Sequence, residues 1–205
     1  MKNSLFFRNE RENKIQAAFW KTFNRENGKV FQFGMKGSTT DMKLPGLTYW
    51  KIDIKKILWE KDFKTYFAFR SFVYEDWKAE ALEYIKANNL NEKKDLREME
   101  RIILEFGFWN YIREKRAMSY LKNEGYKVYE TNAFIDTVYK ADLIAIDKET
   151  SKKIFIQVKP TWYSFKAKDR EHLTNSAKTH KAFAWLMIPE PNTKAFKWKI
   201  FNIEY

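Results

Sequence analysis

Apolar positions in residues 96–124 recur three and four apart: Met99, Ile102, Ile103, Phe106, then Trp109, Tyr111, Ile112, Ala117, Tyr120 and Leu121. That is the period of a helix, and Gly107 predicts a break that makes two helices of it. Gly125 stands where a left-handed C-cap is expected. Beyond it the pattern changes to short apolar runs over 126–130, 141–146 and 154–158. A helix is predicted over 168–182, then strands over 184–188 and 198–203 joined by a Pro-Glu-Pro-Asn turn. Helix, three strands, helix and two strands predict an α/β unit.

The first part of the chain patterns differently. Ile15, Ala18, Phe19 and Phe23 predict a helix over 8–25, with a short strand over 29–33 after the break at 24–28. Residues 34–46, rich in Gly, Ser and Thr and ending in Pro-Gly, read as a loop; they lack the Gly-Lys-Ser/Thr close of a phosphate-binding loop. Trp50, Ile52 and Ile54 alternate with Lys51, Asp53 and Lys55, which predicts a strand over 47–57. A turn at 60–62 and an aromatic-rich strand over 66–73 would complete a hairpin. Trp77, Ala81, Tyr84 and Ile85 predict a helix over 75–88, and 88–94 is the expected boundary. Residues 1–90 are thus read as an N-terminal α+β module for substrate or partner binding, and 91–205 as a second domain.

Composition narrows the class. With 44% hydrophobic and 18% aromatic residues the chain is globular, and no apolar run reaches the length of a membrane span. The opening residues lack a secretory h-region and there are no cysteines, so a cytoplasmic protein without disulfides or a zinc ribbon is expected. Net charge is +12, which points to a polyanionic partner. The surplus is concentrated late. Residues 151–205 hold 11 Lys/Arg against 4 Asp/Glu, whereas 101–150 balance at 8 against 8.

Two of the apolar runs carry polar groups that a buried strand has no use for. The first contains Asp142; the second contains Gln157 and runs into Lys159. Side chains two apart on a strand share a face, so Gln157 and Lys159 point the same way. A hairpin around 147–153 would bring Asp142 beside them. Phosphodiester hydrolysis needs an activated water and charge neutralisation at the phosphate, which a divalent metal and a lysine supply. Magnesium takes hard oxygen ligands and keeps several waters. Asp142, the Gln157 side-chain oxygen and the Val158 carbonyl form such a set, with Lys159 alongside.

Asp142, fourteen residues, and then Gln157-Val158-Lys159 resembles the core motif of the PD-(D/E)XK nuclease superfamily. Glu114, Ala117, Tyr120-Leu121 and Gly125-Tyr126 also reproduce the offsets of the preceding helix in many members. The resemblance covers about residues 96–190. It implies a restriction-endonuclease-like core, a mixed central sheet flanked by helices. It also implies catalytic roles for Glu114, Asp142, Gln157 and Lys159, and Mg²⁺ held by Glu114, Asp142, Gln157 and Val158, with Mn²⁺ as a substitute. Ala141 stands where proline is common. Gln157 stands where Asp or Glu is usual, which removes a charge from the site. A glutamine variant occurs in some active members, such as the endonuclease subunit of certain cut-and-paste transposition systems, and junction resolvase-like nucleases share the core. The Gln-x-x-x-Tyr signature of helicase-associated exonucleases is missing.

The expected activity is metal-dependent cleavage of DNA, with RNA not excluded, by an endonuclease acting as a homodimer or within a larger complex. Lys166, Lys168, Arg170 and Lys178 are the expected phosphate contacts. A catalytically silent nucleic-acid-binding or assembly module on the same fold is the alternative, kept open by Gln157. A rival set, Glu12, Asp41 and Asp53-Ile54-Lys55, imitates the motif but lacks a buried strand. His172 and His180 are too isolated for a metal cluster.

Overall fold

The computed structural model describes residues 31–32, 43–44, 50–132, 135–190 and 197–204. The expected helix over 8–25, most of the loop over 34–46, and Glu12 and Asp41 of the rival set lie outside them. The chain divides into two compact units at Tyr111/Ile112. Among the described residues, no helix is long and apolar enough to cross a membrane.

The second unit holds a five-stranded mixed sheet whose strands lie side by side in chain order. Its strands are β3 (Lys127–Glu130), β4 (Leu143–Ile146), β5 (Lys153–Val158), β6 (Phe183–Pro189) and β7 (Trp198–Asn202). The first three form an antiparallel meander. β5 then pairs in parallel with β6, and β7 closes the edge antiparallel. A parallel neighbour requires a crossover, which the helix Ala167–Thr179 supplies by packing on β5 and β6. Every residue of β5 after Lys153 is buried, as befits a central strand covered on both faces. Leu143, Ile144, Phe155, Ile156, Leu186 and Met187 make the core. The order of elements predicted an α/β unit, and this is the mixed sheet with flanking helices that the resemblance implied.

The helix that precedes the meander is longer than the sequence suggested. Residues Glu92–Glu100, Arg101–Glu105 and Phe106–Asn123 run on as α-helix, one π turn and α-helix. The irregularity therefore falls just before Gly107, and Gly107 lies inside the last segment. Gly125 caps it as expected. Its φ is +93°, and the Tyr126 N–H reaches back 3.0 Å to the Leu121 carbonyl, the long bond of a Schellman motif.

The first unit corrects two expectations. Residues 54–61 and 66–87 are helices, α1 (Ile54–Lys61) and α2 (Tyr66–Ala87), which replace the strands predicted over 47–57 and 66–73, while the helix predicted over 75–88 is the second half of α2. Asp53 is the N-cap of α1 and accepts from the Lys56 N–H at 2.9 Å; Thr65 caps α2, accepting from the Ala68 N–H at 3.2 Å. Phe69, Val73, Trp77, Ala81 and Ile85 are the buried stripe of α2, a four-residue spacing that residues 66–73 are too short to reveal. Asp62 ends α1 in a left-handed conformation at φ 53°, so the predicted turn falls where expected. Asp53 thus caps a helix instead of facing outward from a strand. Numbering the later helices in order, α3 is Glu92–Glu100, α4 is Phe106–Asn123 and α5 is Ala167–Thr179. A two-stranded antiparallel pair, β1 (Phe31–Gln32) with β2 (Lys43–Leu44), also belongs to this unit.

Candidate active site

The site is built on the β4–β5 hairpin. The pairing Leu143↔Ile156 and Ile144↔Phe155 places Asp142 opposite Gln157, one step beyond the ladder. The Asp142 N–H continues the ladder by donating to the Ile156 carbonyl at 2.8 Å. Asp147 closes the turn, its Oδ1 accepting from the N–H groups of Glu149 at 2.8 Å and Thr150 at 3.0 Å. Those two bonds hold its carboxyl below the usual carboxylate range.

Asp142 is 5% exposed and Gln157 is 2% exposed. The carboxylate Oδ2 accepts from Gln157 Nε2 and from the Val158 N–H, each at 2.7 Å. Both bonds fix the carboxylate against the end of β5. They also fix the amide, because the NH₂ must face the carboxylate and the oxygen must face away. Gln157 Oε1 is buried and has no hydrogen-bond partner. Leaving such an acceptor unmade costs about 1–3 kcal/mol, and uncompensated buried acceptors of this kind call for a specific explanation.

Glu114 is half-buried on α4, directly after Arg113. Burial pushes the Arg113 guanidinium below its usual value, and the Glu114 and Asp142 carboxylates push it back up. Arg113 therefore senses both acidic members of the predicted set. Sequence reading passed over it as one charge among many on a mixed helix. Thr131 was also missed. Buried at the end of β3, its hydroxyl lies 2.8 Å from the Ala141 carbonyl and 2.9 Å from that of Asp142, so it anchors the entry to β4. Its sequence context, a polar residue after a strand, carried no signal. Lys140, just upstream, turns the chain at φ 54° and pairs with Asp169 at 3.6 Å.

Lys159 is half-exposed at the end of β5, with its backbone N–H donating to the Met187 carbonyl at 3.0 Å. Lys166, Lys168 and Arg170 are exposed at the start of α5, and Lys178 is exposed near its end. At 1.5 Å per residue, Lys178 lies about 18 Å along the helix from Lys166, so the four cations are not one cluster. His180 packs against Tyr139 and Phe155, with ring centroids 5.0 and 5.6 Å away. That is a packing role.

Among the described residues, no group of three or more His, Cys, Asp or Glu is placed to hold a metal ion. The predicted set has only two carboxylates and relies on neutral oxygens. The donor types nonetheless suit a hard divalent cation, and the unpaired Gln157 Oε1 is the acceptor such an ion would satisfy.

No family model and no curated protein matches the sequence. Among solved structures, the chain is similar to the 1.6 Å structure of Hjc, a Holliday junction resolvase from the archaeal hyperthermophile Archaeoglobus fulgidus. Identity is 16%, the match covers 44% of this chain and 70% of that one, and the TM-score is 0.35. A likeness of that size assigns no role to any residue here.

Proposed function

We propose that this protein is a metal-dependent nuclease, and specifically a DNA endonuclease of the PD-(D/E)XK type. The observation that carries the reading is the buried, unpartnered Gln157 Oε1 beside a hydrogen-bonded Asp142. Glu114, Asp142, Gln157 Oε1 and the Val158 carbonyl would hold Mg²⁺ or Mn²⁺. When bound, such an ion lowers the pKa of a coordinated water and neutralises charge on the phosphate.

The chain's own groups do the rest. Gln157 Nε2 and the Val158 N–H hold Asp142 in one orientation, so no reorganisation is needed when charge develops. The Lys159 ammonium, with three donors, positions the attacking water or bonds a non-bridging phosphoryl oxygen. The water oxygen forms the new P–O bond, the bridging P–O bond breaks, and a water proton ends on the departing alkoxide. Arg113 offsets repulsion between the two carboxylates. Lys166, Lys168 and Arg170 would hold the phosphate backbone, so affinity should fall steeply as salt rises.

The deciding experiment is cleavage of single-stranded, duplex and branched DNA, and of RNA, with Mn²⁺ and with chelator. Metal-dependent cutting of DNA is expected. Binding without cutting on every substrate would favour the silent module instead.

Gln157→Glu tests the ligand directly. Without metal it replaces an N–H donor, 2.7 Å from the Asp142 oxygen, by a second carboxylate, and like charges that close resist joint ionisation. The melting temperature of the metal-free variant should drop by roughly 5–10 °C, and its shift on adding Mn²⁺ should exceed that of the natural protein. Identical melting curves for the two proteins, with and without Mn²⁺, would count against metal binding at this site.

A further inference from the structure

Just past Lys159 the chain makes a surface that catalysis alone does not explain. Thr161 and Ser164 clamp a single 3₁₀ turn, Trp162–Ser164. The Ser164 hydroxyl donates to the Thr161 carbonyl at 2.6 Å, and the Ser164 N–H reaches the same oxygen at 3.2 Å. On this turn Tyr163 is 94% exposed and Trp162 is 40% exposed. Trp162 is not loose. The Phe201 ring meets it edge-on at 4.9 Å, and the Arg170 guanidinium lies 5.3 Å from its centroid. Arg170 also lies 5.9 Å from the centroid of the Phe165 ring. Lys166 and Lys168 are exposed at the start of the same helix. The combination is one ring offered whole to solvent on a fixed turn, a second ring with a guanidinium against it, and two exposed lysines a few residues further along the chain.

A double helix keeps its bases stacked inside and offers phosphates to such a surface, so an exposed tyrosine gains little from it. An unpaired base has a free π-face, and aromatic side chains ringed by cations bind single strands by stacking while the cations follow the backbone. Tyr163 is four residues from Lys159. Even fully extended, that chain spans at most about 14 Å, or roughly four nucleotides at the 3.4 Å rise of a stacked strand.

We propose that Tyr163, supported by Trp162 and Arg170, is a stacking platform for an unpaired base within about four nucleotides of the scissile phosphate. The preferred substrate is then DNA with a single-stranded stretch at the cut, such as a flap, a branch or a frayed end, and not continuous duplex. The distance to the cut rests on the nuclease reading; the single-strand preference does not.

The test is binding without divalent metal, by fluorescence anisotropy, of a labelled single-stranded oligonucleotide and a blunt duplex of equal length. The natural protein should favour the single strand. Tyr163→Ala should weaken single-strand binding about 5- to 100-fold and change duplex binding less than twofold. Tyr163→Phe, which keeps the ring, should retain most of the preference. The salt slope should stay as it is in both variants, because no charge is removed. Equal affinity of Tyr163→Ala and the natural protein for the single strand would overturn the proposal, and so would an equal loss on both substrates. A single-strand preference that depends on Tyr163, in a protein that cuts nothing, would uphold the platform and remove the nuclease reading.

Discussion

Asp142→Ala is expected to abolish cleavage and to destabilise the fold at once, and the two effects can be pulled apart. The alanine leaves Gln157 Nε2 and the Val158 N–H, which both donate to Oδ2, without an acceptor in a buried place. Each orphaned donor costs about 1–3 kcal/mol, so a fall in melting temperature of roughly 5–15 °C is expected. Asp142→Asn keeps one oxygen that can accept both bonds, while it removes the negative charge and turns the other oxygen into an NH₂. It should melt within a few degrees of the natural protein, yet cleave at least about 10²–10³-fold more slowly, with the Mn²⁺-dependent melting shift lost. Cleavage by the asparagine variant at the natural rate would refute a ligand role for Asp142. So would a melting shift with Mn²⁺ that the asparagine leaves unchanged.

The contrast between the two units explains why the sequence could be read so unevenly. In the second unit the strands are short and bounded by turn residues, and on β4 and β5 the polar exceptions stand out because nearly everything around them is apolar and buried. Asp142 and Gln157 could be paired on paper because side-chain alternation fixes which residues face each other once the turn is located. The first unit has no such punctuation. Tyr66, Phe67, Phe69, Phe72 and Val73 are residues that favour strands, and eight positions cannot separate a period of two from one of 3.6. Only the continuation through Trp77, Ala81 and Ile85, all buried on α2, shows the helical stripe. Asp53 misled for a related reason: an aspartate before Ile-Lys-Lys fits a helix cap as well as a strand's outer face, and the Lys56 N–H decides it.

The site was legible where its chemistry is written in residue type, and illegible where it depends on approach in space. A carboxylate, an amide and a lysine on one hairpin announce themselves. Arg113 does not, because an arginine on a charged helix looks like any solvated one until burial and the Asp142 carboxylate are seen to act on it. Nor could sequence reveal that Gln157 spends its donor on Asp142 and leaves its oxygen unpaired. That detail changes how the missing charge is read. A glutamine here reads at first as a damaged ligand, but its NH₂ holds the buried Asp142 carboxylate in place, which an ionised glutamate could not do.

Lys159→Ala separates chemistry from grip. The backbone of Lys159 is tied to Met187 by its own N–H at 3.0 Å, a bond the substitution leaves alone, and the side chain is half-exposed. The fold should therefore be nearly unaffected. Removing the ammonium takes away the donor proposed for the water or the phosphoryl oxygen, and cleavage should fall by at least about 10²-fold. DNA affinity should change little, because Lys166, Lys168 and Arg170, the proposed backbone contacts, are left as they are; the salt slope of binding should fall by no more than about one. The reverse pattern, with binding weakened and the rate at saturating DNA unchanged, would make Lys159 an ordinary phosphate contact and leave the site without its catalytic cation. Measuring both quantities on one substrate, over a range of salt, therefore decides whether the end of β5 does chemistry or only helps to hold DNA.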